Sequence, residues 1–132
     1  MNRYCLDTSA YSNFQRGNEE VVGLVDAADW VGVPAVVVGE LWTGFLQGDK
    51  RERNEAELAD FLAHPSVAEI QVDHSVGRLY AEILVALRDR GTPLPTNDIW
   101  VAACAARSGS TVLTFDDHFA AIERVGSLIL TS

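Results

Sequence analysis

Positive charge is scarce in this sequence. Lys50 is its only lysine, and ten Lys and Arg together stand against 19 Asp and Glu, for a formal net charge of −9. Tight, sequence-specific DNA binders carry a basic footprint, so this balance argues against that class. It leaves open an enzyme whose site is a nest of carboxylates offset by divalent cations. The shortage also weighs against a phosphoacceptor signalling domain, which needs a lysine after a late strand, whereas Lys50 lies in a charged helical stretch. A phosphatase with an aspartyl nucleophile is disfavoured too, because Asp7 is followed by Thr8-Ser9 and not by the Asp-x-Asp pattern.

Cysteine is equally sparse. Cys5 and Cys104 each lie in an apolar stretch with no C-x-x-C spacing, which predicts buried core thiols and no zinc or disulfide framework. No apolar run approaches the ~18 residues of a membrane span, and no signal peptide is visible, so the expected location is the cytoplasm. Repeats, low-complexity tracts and interdomain linkers are missing as well. That predicts one domain over residues 1–132.

What is there is alternation. Arg3-Tyr4-Cys5-Leu6 reads as a short buried strand closed by Asp7, and Thr8-Ser9 can cap a helix after it. Trp30 to Val33, Ala68 to Val72, Thr111 to Phe115 and Leu128 to Leu130 read as further strands. Between them the apolar spacing predicts helices opening at Asn18, running from Pro34 to Gln47, and turning Leu58, Phe61 and Leu62 inward. Two more run from Ser75 to Arg90 before Gly91, and from a Thr96 or Asn97 cap to Ser108 before Gly109, with a short helical turn from His118 to Ile122. Short strands alternating with helices predict an α/β architecture, a mainly parallel sheet flanked by helices on both faces. Function in such sheets gathers at the carboxyl ends of the strands.

Four carboxylates stand out by position. Asp7 and Asp116 follow the first and fourth strands, Glu40 sits in an apolar helical stretch, and Asp98 opens a helix that continues Val101-Ala102-Ala103-Cys104. Each alone reads as a cap, a loop acid or the edge of a helix face. Together at strand and helix ends they would repel one another and raise each other's pKa, a conflict that a divalent cation resolves. Hard oxygen ligands suit magnesium or manganese, and such sites perform phosphodiester chemistry.

Four segments in order, Leu6-Asp7-Thr8-Ser9, Val38-Gly39-Glu40-Leu41-Trp42-Thr43-Gly44, Asn97-Asp98-Ile99-Trp100-Val101-Ala102-Ala103 and Leu113-Thr114-Phe115-Asp116-Asp117-His118-Phe119, resemble the PIN-domain ribonucleases, specifically VapC-type toxins of type II toxin–antitoxin systems. The resemblance spans essentially the whole chain. It implies a PIN-like three-layer sandwich with a five-stranded sheet, and a magnesium-dependent endoribonuclease in which manganese can substitute. The implied substrate is structured RNA, a tRNA or a ribosomal RNA loop. Carried over by position, Asp7, Glu40, Asp98 and Asp116 form the catalytic and metal-binding quartet. Asp7 and Asp98 are its direct ligands, Glu40 and Asp116 complete it directly or through water, and Thr8 and Thr114 match supporting hydroxyl positions. A homodimer and a cognate VapB-type antitoxin, laid across the active-site groove, follow from the same likeness. The alternative is a catalytically degenerate PIN domain acting as an RNA- or protein-binding module.

Phe115 departs from the polar residue often found there, and Asp117 beside Asp116 leaves the fourth acid open to a shift by one. Strand alternation lets only one of the two face the site, and Asp116 is preferred. The quartet needs no histidine, so His118 is read as a local structural residue, and His64 and His74 as surface residues. Trp30, Trp42 and Trp100 read as core or interface residues. Lys50-Arg51-Glu52-Arg53 reads as a solvated helix face, while Arg16, Arg51 and Arg53 are the candidate rim for RNA phosphates.

Overall fold

Strand and helix alternate along the computed structural model, which describes residues 1–131. The strands are β1 (Arg3–Leu6), β2 (Trp30–Pro34), β3 (Val67–Ile70), β4 (Thr111–Thr114) and β5 (Ser127–Ile129). The helices are α1 (Thr8–Gln15), α2 (Glu19–Ala27), α3 (Ala35–Gln47), α4 (Arg51–Leu62), α5 (His74–Asp89) and α6 (Thr96–Ser108), and a 3-10 turn covers Asp117–Ala121. No helix among the described residues is long and apolar enough to cross a membrane.

All strand pairings are parallel, in the order β3-β2-β1-β4-β5. The chain builds outward from β1 to β3 on one side and returns to add β4 and β5 on the other. The order therefore reverses between β1 and β4, and the crevice beyond their carboxyl ends is where open α/β sheets place their ligands. Helices flank the sheet, as the alternation predicts. Cys5 faces α6, with its Sγ 3.9 Å from the Val101 carbonyl, and Leu6, next along the strand, takes the opposite face.

The core explains why α6 sits so close. Val101, Ala102, Ala103, Cys104 and Ala105 are buried, and α6 contacts β1, β2 and β4. Three alanines let its backbone approach the sheet, and each large aliphatic side chain buried there contributes about 1.5–3 kcal/mol. Gly109 ends α6 at φ 63°, a left-handed conformation that suits glycine. Gly32 answers a different need: a Cβ there would lie 2.4 Å from the Trp30 ring and 2.6 Å from Ile70 Cδ1. Trp30 covers Gly32 from one side and receives the Arg3 guanidinium 4.3 Å from its ring centroid.

Several boundaries differ from the sequence reading, for local reasons. Of the candidate caps of α1, Asp7 takes the place rather than Thr8 or Ser9, and its carboxylate accepts from the Ala10 N–H at 2.9 Å. Helix α6 has Pro95 at its cap, and Thr96 and Asn97 fall inside the first turn. Proline presets the entry φ, and its carbonyl accepts from the Asp98 N–H at 3.1 Å. Pro34 likewise caps α3 from outside, as the last residue of β2. β3 stops at Ile70, where pairing with β2 ends, so Val72 falls outside it and is 43 % exposed. Asp73 caps α5 through the Val76 N–H at 3.0 Å and starts it one residue early.

Candidate active site

Two buried residues among those described are polar, Asp7 and Thr114, and they hydrogen-bond each other across the β1–β4 boundary. Asp7 is the first residue beyond β1. Its Oδ1 accepts from the Ser9 hydroxyl at 2.7 Å and the Ala10 N–H at 2.9 Å, and its Oδ2 accepts from Thr114. Ser9 Oγ in turn accepts from the Phe115 N–H at 3.0 Å, tying the start of α1 to the end of β4. The cap of one helix and the stitching of two strands thus fix the same carboxylate.

Asp98 and Asp116 reach the crevice from the first turn of α6 and from the residue capping the 3-10 turn. His118 stands between them, its Nδ1 3.0 Å from Asp98 Oδ2 and 3.1 Å from Asp116 Oδ1. Ligand atoms of Asp98, Asp116 and His118 lie within 4.8 Å of one another, close enough to share one ion. Of the two neighbouring acids, Asp116 joins this group, while Asp117 is exposed within the 3-10 turn.

Glu40 is held differently. Exposed on α3, it accepts from the Thr8 hydroxyl at 2.7 Å on one oxygen and from the Asn97 amide at 3.2 Å on the other. Those donors are chain neighbours of Asp7 and Asp98, so Glu40 is pinned to the rim of the same crevice. The structure therefore gathers all four sequence-predicted acids at one end of the sheet. Thr8 orients Glu40, and Thr114 orients Asp7.

The electrostatics follow. Burial raises the Asp7 carboxyl above the ordinary range; bonds from Thr114, Ala10 and Ser9 pull it partly back, and the Asp116 charge adds to the rise. Burial also raises Asp98; its bond from His118 opposes this, and the charges of Asp116 and Asp7 reinforce it. The Asp116 charge thus opposes ionisation of both Asp7 and Asp98. His118 is raised in turn, first by its bond with Asp98. A cluster of hard oxygen donors that repel one another fits a divalent cation such as magnesium or manganese. Asp98, Asp116 and His118 bring ligand atoms close enough to hold one ion, with the Asp7 charge beside them and Glu40 at the edge.

Sequence reasoning undervalued three residues here. His118 was set aside because the quartet needs no histidine, yet it bridges two of the acids. Ser9 and Asn97 stand in the quoted motifs, and only their partners across the fold reveal that they position Asp7 and Glu40. Of the candidate rim, Arg51 lies 3.9 Å from Glu55 and Arg53 3.3 Å from Glu57 along α4, both with largely exposed side chains.

The PIN-domain profile matches residues 4–125. The ribonuclease VapC5 of Mycobacterium tuberculosis is 29 % identical over 123 residues, covering 93 % of this chain and 90 % of that protein. The ribonuclease VapC4 of the same organism is 32 % identical, with 74 % of each chain covered. Among solved structures, the Mycobacterium tuberculosis toxin–antitoxin complex VapBC-5 has a chain that superposes with a TM-score of 0.77 at 28 % identity, over 98 % of this chain and 100 % of that one. A chain of VapBC2 from Rickettsia felis, bound to a promoter DNA fragment, superposes at 0.86 over 97 % and 98 % of the two chains, and at 20 % identity this likeness concerns the fold alone. The chain belongs to the PIN-domain family, in its VapC-like branch.

Proposed function

We propose that this chain is a magnesium-dependent endoribonuclease toxin whose catalytic quartet is Asp7, Glu40, Asp98 and Asp116. The observation that carries the reading is the convergence of Asp7, Asp98 and Asp116, from three separate elements, at the crevice between β1 and β4. The names of the relatives, ribonucleases VapC5 and VapC4, support the same activity.

A divalent cation held there would offset the charge of the scissile phosphodiester and make water acidic enough to attack near neutral pH. The chain's own residues prepare for this. Thr114, Ser9 and the Ala10 N–H keep the Asp7 carboxylate fixed, leaving little reorganisation when substrate arrives. Thr8 and Asn97 hold Glu40 at the rim. Structured RNA, a tRNA or ribosomal RNA loop, is the proposed substrate, because exposed loops offer phosphates that an open crevice can reach.

The proposed partner is a cognate antitoxin with a basic, amphipathic segment. Support comes from the complexes in which similar chains were solved. A cavity of about 470 Å³ adds to it, lined by buried Val25 and Phe61 and rimmed by exposed Asp26 and Asp60. A homodimer in the cytoplasm completes the reading, and light scattering on the purified chain tests the dimer.

Incubating the protein with end-labelled tRNA, first with magnesium and then with EDTA, tests the activity. The expected result is metal-dependent fragments that Asp7→Asn and Asp98→Asn do not produce. Metal-independent fragments would overturn the role given to the cation, and no fragments from the unaltered protein while it still binds RNA would favour the catalytically degenerate binding module.

A further inference from the structure

Away from the carboxylate crevice, three arginines distant in sequence come together. Arg78, Arg107 and Arg124 line an open concavity of about 460 Å³ together with His74, Ser75 and Glu82. Glu82 is its single acidic lining residue, and it is shared: Arg78 Nε lies 3.4 Å from one oxygen and Arg124 Nη1 3.0 Å from the other. Arg107, in the last turn of α6, makes no ion pair among the described residues. Three guanidiniums less the Glu82 carboxylate leave a formal charge of +2 among the lining residues, or +1 with the Asp73 carboxylate that caps α5, on a chain whose total is −9.

The backbone adds to this. Helix α5 opens at the same concavity with His74 and Ser75, whose N–H groups have no partner within the helix, and the positive end of its dipole points there. Asp73 is committed to the Val76 N–H. Planar guanidiniums beside helix N–H groups match phosphate oxygens in charge and in hydrogen-bond direction. Glu82 then acts as a brace that holds Arg78 and Arg124 in place and leaves Arg107 free.

Position relates this pocket to the site. Asp98 opens α6 and Arg107 closes it, so the two are about 14 Å apart along the helix axis. Nine residues also turn the helix about half a revolution, so Arg107 projects from the side opposite Asp98. The distance is about four duplex steps of roughly 3.4 Å along a strand; because Arg107 faces away from Asp98, a strand lying in the crevice does not run straight to the pocket, whereas a folded stem can lie over the α5–α6 face.

We infer that the pocket of Arg78, Arg107 and Arg124 is a second phosphate site, which grips the backbone of a structured RNA several nucleotides from the crevice. The choice of RNA as the anion rests on the proposed ribonuclease function. The site makes affinity depend on a stem, and it gives a strongly acidic protein a place to hold a polyanion.

The test is binding of a labelled RNA stem–loop in EDTA, measured across a salt series, beside magnesium-dependent cleavage of a short single-stranded oligonucleotide. Arg107→Gln/Arg124→Gln weakens stem–loop binding about tenfold at low salt and lowers the salt slope by about 1–2. Glu82→Gln removes the opposing charge, keeps all three arginines and leaves an amide oxygen that still accepts from a guanidinium, so the gain in charge outweighs the weaker brace and binding tightens, a gain that misfolding does not imitate. Oligonucleotide cleavage stays at the unaltered level in both variants. Stem–loop affinity and slope unchanged in both variants overturn the inference, whatever the nuclease activity. Binding that follows the charge changes, in a protein that cleaves nothing, keeps the pocket and removes the nuclease reading.

Discussion

The hydroxyl of Thr114 donates to Asp7 Oδ2 and, through its lone pair, accepts from the Asp116 N–H at 2.9 Å. One oxygen at the end of β4 therefore positions both the acid that follows β1 and the acid that follows β4. Because Thr114 is fully buried and Asp7 nearly so, the bond between them is shielded from water.

Thr114→Val keeps the shape and removes the hydroxyl. It strands one Asp7 oxygen and the Asp116 N–H, and is expected to cost about 1–3 kcal/mol in a urea titration at neutral pH. Thr114→Ser restores the oxygen and recovers most of that loss. A valine variant as stable as the unaltered protein would show that the pairing does not hold the site together.

Glu40 makes the opposite case, since it is exposed and its two supports, Thr8 and Asn97, touch it from different elements. Thr8→Val and Asn97→Ala should leave the urea midpoint within about 0.5 kcal/mol of the unaltered protein. RNA cleavage should fall by roughly 10- to 100-fold, the usual effect of losing a residue that orients a ligand. Full activity in both variants would remove Glu40 from the quartet.

The sheet and the four acids were legible in the sequence because they depend on local signals. Apolar runs of strand length mark β1, β2 and β4, and acids just past strand ends mark the crevice. What stayed hidden depends on contacts between distant segments. His118 reads as an ordinary turn residue until β4 and α6 bring Asp116 and Asp98 to either side of it. Asp7, Thr8 and Ser9 all read as possible caps, and only the path of β1 into α1 selects Asp7 among the three. The arginine pocket draws on α5, α6 and the segment before β5, so no window of sequence contains it.

The Tyr80–Trp100 stack, with ring centroids 3.9 Å apart and planes inclined by 16°, joins α5 to α6. Trp100 sits two residues after Asp98, so the stack braces the turn that carries a proposed metal ligand. A double-mutant cycle with Tyr80→Leu and Trp100→Leu should give a coupling of about 0.5–1.5 kcal/mol, read from urea unfolding. A coupling near zero would mean that the rings merely cover the surface.

The final prediction concerns pH. Asp7 and Asp98 hold protons more tightly when folded than when unfolded, because burial raises both. His118 is raised as well, first by its bond with Asp98. A raised group binds more protons in the folded chain, so its stabilisation is complete below the unfolded pKa and is lost as pH climbs through the folded one. The three shifts share this sign. For the carboxyls the loss begins above the ordinary 3.8, and for His118 above the ordinary 6.5. In EDTA the contribution of this cluster should therefore decline in two stages, from above the ordinary carboxyl value of 3.8 as the acids ionise, and further above 6.5 as the histidine loses its proton and the acids face one another unshielded. Asp98→Asn removes both a repelling charge and the main support of the imidazolium, so its melting temperature should fall less over the same interval. Magnesium needs the ionised carboxylates and should raise the melting temperature more at about pH 8 than at about pH 5.5. Calorimetry of both proteins, with magnesium and with EDTA, decides the matter. Parallel pH profiles in EDTA, or an equal magnesium shift in Asp98→Asn, would separate Asp98 from the metal site and the cluster from the pH response.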